Sequence, residues 1–230
     1  MKIGILITGH PPEEMASGGA YDGYFARLLG SDGFTYQGYT VVDGEMPASV
    51  HDAQGWLITG SKHGAYEDHP WISPLEHFIR DCYAAAVPMI GVCFGHQIIA
   101  QAMGGTVEKF SGGWSVGAVD YQIGDQTLRL NAWHQDQVVE KPARAKVIGA
   151  TDFCANAALV YDTRIWTIQP HPEYDHDFIA GLIRHRGAGV VPQAQLTAAE
   201  ARLGTALDRE TIAEEMRRFL KRGESRGPLA

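Results

Sequence analysis

The chain has 230 residues, of which 45% are hydrophobic and 20% charged, enough apolar material for one sizeable core. Its formal net charge is -8, and its lysines and arginines are scattered apart from a short cluster at residues 217–222, so no basic face tracks a phosphate backbone and nucleic acid is not expected as a partner. The opening MKIGILITGHPP carries an apolar run too short for a signal-peptide core or a membrane span; no membrane association is expected, and a cytoplasmic protein is the simplest reading.

In chain order, the short apolar runs KIGILI, YQGYTVV, GWLIT and PMIGV read as buried strands. Between them, AYDGYFARLL and WISPLEHFIRDCYAAA space their apolar residues for one helix face, with Pro74 tolerable in the first turn of the second. This alternation predicts an α/β fold, with a mostly parallel central sheet flanked by helices. After Gly105 the texture changes: TVEKF, SVGAVDYQI, TLRLNAW, AKVIGA, ALVYD and IWTIQ follow one another with little helix between, predicting a small mixed or antiparallel β extension. Residues 196–222 return to helical spacing, with Asp208 and Glu210 at the start of a final helix, and GESRGPLA reads as a frayed tail. No repeat or linker divides the chain, so residues 1–230 are expected to form one domain, with 190–230 as a C-terminal helical extension.

The stretch PMIGVCFGHQIIAQAMGG joins a strand to a helix through G-x-C-x-G. A nucleophile at such a turn is pushed out of the sheet edge, and small flanking residues avoid collision with neighbouring strands. The helix beginning just after Cys93 directs its free N–H groups and positive dipole end at the sulfur, favouring the thiolate, and the N–H of Phe94 can hold an oxyanion. A base is available in IWTIQPHPEY, read as a strand ending in His171-Pro172-Glu173, in which residues two apart share a side, so that Glu173 orients His171 while His171 faces the thiol.

Together, GVCFGHQ and QPHPE resemble the class I glutamine amidotransferase family, in which a Cys-His-Glu triad hydrolyses the side-chain amide of glutamine. The resemblance runs from KIGILI to about Arg184 and implies a flavodoxin-like architecture with Cys93, His171 and Glu173 as catalytic residues. It further implies that Gln97 helps hold the γ-glutamyl group and that a backbone N–H at Gly60 completes the oxyanion hole with Phe94. Many members carry two glycines where this chain has Gly60-Ser61, which leaves open which N–H donates and makes Ser61 a substrate-site candidate. His134, Gln135 and Asp136, in NAWHQDQV, match a His-x-Asp loop that lines the family's site. SGGWS, ending at Ser115, aligns with the loop that holds the amino-acid end of glutamine, although an ordinary glycine-rich turn fits it as well.

The stretch ITGSKHGAYEDHPWI is similar to stand-alone members that include plant γ-glutamyl peptidases, relatives of the glutaminase domain of GMP synthetase. Its Lys62, His63, Tyr66, Glu67 and Asp68 read as a solvated polar loop without a catalytic task.

His171, Glu173, Asp175 and His176 lack the spacing of common zinc motifs, so no metal is expected, and Cys82 and Cys154 sit among apolar neighbours as packed thiols. No phosphate-binding loop or dinucleotide fingerprint occurs, so no cofactor is expected. The reading is a hydrolase of γ-glutamyl amides or peptides, glutamine among them, acting through a glutamyl thioester. Its alternatives are a glutaminase subunit supplying ammonia to a separate synthetase and a binding protein with a vestigial site.

Overall fold

In the computed structural model, which describes residues 1–222, the early apolar runs become β1 (Lys2–Leu6), β2 (Thr35–Tyr39), β3 (Gly55–Ile58) and β4 (Met89–Val92), separated by α1 (Tyr21–Leu29) and α2 (Ile72–Ala84). Helix α3 (Phe94–Ala102) follows β4 after one residue. Then come β5 (Thr106–Lys109), β6 (Ser115–Ile123), β7 (Gln126–His134), β8 (Asp136–Glu140), β9 (Ala145–Ala150), β10 (Ala158–Tyr161) and β11 (Ile165–Ile168), and the helices α4 (His176–Leu182), α5 (Gln193–Ala201) and α6 (Arg209–Arg222).

Among the described residues the main sheet has nine strands in the order β2-β1-β3-β4-β11-β10-β9-β6-β7. From β2 to β11 every neighbour is parallel, and from β11 to β7 every neighbour is antiparallel. The parallel sheet and its antiparallel extension thus share one continuous ladder, while β5 and β8 pair as a separate ribbon.

The inner parallel strands β3, β4 and β11 are buried along their whole length and β1 beyond Lys2, while the edge strand β2 exposes Thr35 and Gln37. Ile3, Ile5, Leu57, Ile90, Val92, Trp166 and Ile168 face one side with Phe25 and Leu29 of α1. Leu6, Trp56, Ile58, Met89 and Ile165 face the other, against Leu75, Phe78 and Ile79 of α2 and Ile98 and Ile99 of α3. Both faces are covered, as a parallel sheet with crossover helices requires. Helix α6 adds Ile212, Ala213, Met216, Phe219 and Leu220 to the first of these faces, so the C-terminal segment walls the core. Each large side chain buried this way contributes about 1.5–3 kcal/mol of transfer free energy.

The structure corrects three local expectations. The strand expected through YQGYTVV ends at Tyr39, and Val41–Asp43 forms a 3-10 turn because Val42 N–H bonds back to Ile7 O. The expected HQDQV loop is mostly β8, whose Val138 packs inward against Val107 of β5. The helical pattern of 196–222 is broken between α5 and α6, where the Thr205 hydroxyl donates to Arg202 O and Asp208 leaves to pair with β7 through Arg129 N–H. The terminal GESRGPLA lies outside the described residues.

Candidate active site

At the C-terminal end of β4 the chain turns through Cys93 into α3. Cys93 has φ 54 and ψ -106, a conformation that costs a side-chain-bearing residue about 1–3 kcal/mol and persists only where its surroundings impose it. They do so here: Cys93 N–H donates to Ile168 O at 2.9 Å and Gly95 N–H to Thr59 O at 3.1 Å, tying the turn to β11 and to the end of β3. The flanking glycines are demanded by contact. A Cβ on Gly91 would lie 2.5 Å from Gly95 O, and one on Gly95 would lie 2.3 Å from Ile58 O. Phe94 occupies the first position of α3, where a backbone N–H has no partner within the helix, and its ring is buried against Trp71.

His171 is buried, hydrogen-bonded through Nδ1 to Glu173 Oε1 at 2.7 Å, and shares with Cys93 both the wall of one cavity and the neighbourhood of Gly60. Burial alone would push the imidazole toward neutrality, but the negative charge beside it at Cys93 and Glu173 prevails and holds its pKa up at about 10. The contact between His171 and Glu173 does not come from extended chain, as the sequence suggests. Strand β11 ends at Ile168, and residues 171–174 form a turn, closed by Tyr174 N–H to His171 O, that folds the carboxylate back onto the ring.

Residues distant in sequence hold that turn. His171 N–H donates to Asn131 O at 2.8 Å, and the Asn131 amide donates to Tyr174 O at 3.1 Å. From α6, Arg209 Nε donates to Pro172 O at 2.7 Å and its terminal nitrogen to Glu173 O at 3.1 Å. Tyr174 stacks on the His171 imidazole with centroids 4.0 Å apart and planes 7° from parallel. None of Asn131, Tyr174 or Arg209 stands out in the sequence, although Tyr174 directly follows the HPE motif.

Gln97 is buried and donates to Asp136 O at 2.8 Å and to Gln169 Oε1 at 3.1 Å. Gln169 in turn directs its Nε2 at Cys93 Sγ, 3.6 Å away. Sequence reasoning missed Gln169, although it opens the quoted QPHPE. Gly60 faces Cys93 and His171: a Cβ there would meet His171 Cε1 at 3.0 Å and Cys93 Cβ at 3.8 Å. His134 ends β7 with Nδ1 3.2 Å from Asp136 O; burial first, then the charge of His171, push its pKa down to about 3, so it stays neutral.

Cys93, Gln97, His134, His171, Tyr174 and Ser61 all line one open cavity of about 410 Å³. Ser115 is not among its lining residues. It opens β6 opposite His134, and Trp114, its neighbour, contributes the wall instead. The cavity also carries the cations Lys62, Lys109 and Arg186 and the acids Glu67 and Asp136. Asp175, beside the turn at residues 171–174, caps α4 by accepting from Phe178 N–H at 2.9 Å. On the rim, His63 Nδ1 and His69 Nε2 lie 3.2 and 2.6 Å from the same Glu67 oxygen. Cys82 and Cys154 are buried, and burial pushes both thiols up, Cys154 to about 12.

The family model described as glutamine amidotransferase class-I matches residues 49–178, which contain β3, the elbow at Cys93 and the turn at residues 171–174. Gamma-glutamyl peptidase 4 of Arabidopsis thaliana is 30% identical over 96% of both chains. A GMP synthase (glutamine-hydrolyzing) of Finegoldia magna is 32% identical over 53% of this chain and 25% of its own length. The crystal structure of a glutamine amidotransferase from Methylobacillus flagellatus superposes with a TM-score of 0.76 at 24% identity, covering 97% of this chain and 95% of that one, a likeness of fold. Among the described residues no helix is long and apolar enough to cross a membrane.

Proposed function

Because the chain belongs to the class I glutamine amidotransferase family, we propose that it hydrolyses γ-glutamyl amide or peptide bonds with Cys93 as nucleophile, His171 as acid and base, and Glu173 as orienting carboxylate. The observation that carries this reading is that Cys93 at its strained turn shares a cavity with buried His171, whose Nδ1 is hydrogen-bonded to Glu173. Cys93 thiolate attacks the γ-carbonyl, and the tetrahedral oxyanion forms beside the N–H groups of Phe94 and of Gly60 or Ser61. The imidazolium of His171 gives its proton to the leaving nitrogen, so the C–N bond breaks and a γ-glutamyl thioester remains. His171 then takes a proton from water, whose hydroxide oxygen attacks the thioester; glutamate leaves and the thiolate and imidazolium are restored. Gln97 and His134 offer polar groups to the γ-glutamyl moiety in the same cavity.

Peptides are favoured over glutamine alone by the cavity. At about 410 Å³ it falls in the range that takes ligands of drug size, and Lys62, Lys109 and Arg186 suit carboxylates at both ends of a γ-glutamyl peptide. Similarity to a γ-glutamyl peptidase along nearly the whole chain supports the same choice.

The test is glutamate release by the purified protein from glutamine and from a panel of γ-glutamyl dipeptides, with Cys93→Ala as control. Turnover of dipeptides above glutamine, lost in the variant, is expected. Near-normal turnover by a folded Cys93→Ala protein would remove the mechanism. Glutamine hydrolysis that appears only with an added synthetase would assign the chain to ammonia supply. A wild type silent on every substrate and inert to a glutamine-like electrophile would mark the site as vestigial.

A further inference from the structure

We propose that His63, Glu67 and His69 form a divalent-cation site of the zinc type on the rim of the pocket, where the sequence alone points to no metal. Three donor atoms, two imidazole nitrogens and one carboxylate oxygen, lie within 4.8 Å of one another. This nitrogen-rich set with one oxygen suits zinc and its neighbours in the first transition row better than magnesium or calcium, which take oxygen shells. Both rings already address one oxygen, Glu67 Oε2, at 3.2 and 2.6 Å. Tetrahedral zinc with bonds of about 2.0–2.2 Å separates its donors by about 3.3–3.6 Å, so His63 already stands near that spacing from Glu67 and His69 encloses an ion by withdrawing less than about 1 Å from the carboxylate. Each imidazole can remain neutral, carrying its proton on the nitrogen turned away from the ion.

The three residues stand on a braced loop. His69 stacks on Trp71 with centroids 5.7 Å apart and planes 6° from parallel, and Trp71 is itself buried against Phe94. His63 N–H donates to Ser61 Oγ at 3.1 Å and Glu67 N–H to Gly64 O at 3.1 Å. The donor side chains are 22%, 41% and 31% exposed for His63, Glu67 and His69, so an ion reaches them from solution. His63 and Glu67 also line the cavity that holds Cys93. Three protein ligands leave a fourth position for water or for a donor atom of a bound molecule.

Zinc titration by calorimetry tests the site in Cys93→Ala protein, because the Cys93 and His171 pair would itself bind zinc. One zinc per chain is expected, with cobalt giving the visible absorption of a tetrahedral complex. His63→Ala with His69→Ala, in the same background, should weaken binding by at least about 100-fold, since even supporting groups around metals contribute 10–100-fold. Absence of zinc binding by the folded Cys93→Ala protein, or binding unchanged by the two histidine substitutions, would overturn the proposal. Should the double variant fail to fold, imidazole nitrogen resonances of the Cys93→Ala protein decide. Zinc-dependent shifts at His63 and His69 support the site, and shifts confined to His134 and His171 refute it.

Discussion

Glu173 reaches His171 at 2.7 Å although only Pro172 separates them in the chain, because the backbone reverses there and returns the carboxylate to Nδ1. The other ring nitrogen is thereby left to face Cys93, and the orientation of the ring follows from this contact.

Replacing Glu173 by Gln keeps the shape of this contact and removes its charge. The carboxylate favours the protonated imidazole, so the pKa of His171, held up at about 10, must fall toward the ordinary histidine range. Activity in the wild type is expected to persist as pH rises until His171 loses its proton near 10, and in Glu173→Gln the alkaline limb moves to lower pH. Any folding stability tied to that proton is fully present below the ordinary histidine pKa and is lost as pH rises through about 10, so the variant's melting temperature should depend less on pH across this window. The expected loss in kcat is about 10⁴-fold, smaller than for Cys93→Ala, because an orienting group contributes less than the nucleophile. A pH–rate profile with an unmoved alkaline limb would count against the assignment of Glu173.

Gln169 donates to Cys93 Sγ and is itself held by Gln97, so its amide cannot rotate freely away from the sulfur. A donor to a thiolate is a charge-assisted hydrogen bond worth about 1.5–3 kcal/mol. Gln169→Leu is expected to slow alkylation of Cys93 by iodoacetamide about tenfold at neutral pH, and Gln169→Glu to slow it further by setting an anion beside the sulfur. Equal alkylation rates in wild type and both variants would mean that the amide only packs.

Gly60→Ala tests the opposite wall. The new methyl would sit 3.0 Å from His171 Cε1, tighter than ordinary contact, so the ring must yield by a few tenths of an ångström. The backbone at Gly60 does not have positive φ, so alanine is tolerated there and the melting temperature should change little. Catalysis depends on the ring's position, and a misplacement of about 1 Å can cost 10²-fold; a smaller shift is expected to lower kcat by about tenfold. Unchanged kcat with a folded variant would show that His171 has more room than this packing allows.

Much of this arrangement is legible in the sequence because it is local. Buried strands announce themselves as short apolar runs, and the tight turn needs glycine at 91 and 95 wherever it occurs, since Gly95 O and Ile58 O leave no space for a side chain. What is less legible depends on chain reversal or distance. Strand β8 begins in polar residues because Asp136 lines the cavity and Gln137, although buried, donates to Phe153 O. Glu173 was placed beside His171 for the wrong geometric reason, extended chain in place of a turn. Gln169, Tyr174 and Arg209 act through contacts that no spacing encodes: a sulfur one strand away, a ring stacked over a turn, and a guanidinium from the last helix.

Arg209 makes that last relationship testable. It stands at the first position of α6, whose inner face is fixed in the core by Ile212, Met216 and Phe219, so its guanidinium is anchored before it meets the triad turn. There it satisfies the carbonyls of Pro172 and Glu173, the two residues that follow His171. Arg209→Ala frees both carbonyls, and the turn gains freedom to let the carboxylate swing from Nδ1. The expected outcome is a fall in kcat of about 10–100-fold with KM nearly unchanged, since Arg209 does not line the substrate cavity, and a stability loss of about 1–3 kcal/mol for the unsatisfied groups. Arg209→Lys cannot reproduce two donors in a planar fork and should recover only part of kcat. The distinguishing readout is the alkaline limb of the pH–rate profile. If Arg209 acts by holding Glu173 against His171, that limb shifts to lower pH in Arg209→Ala as it does in Glu173→Gln; a loss of stability with kcat and the limb both intact would make Arg209 a structural contact alone.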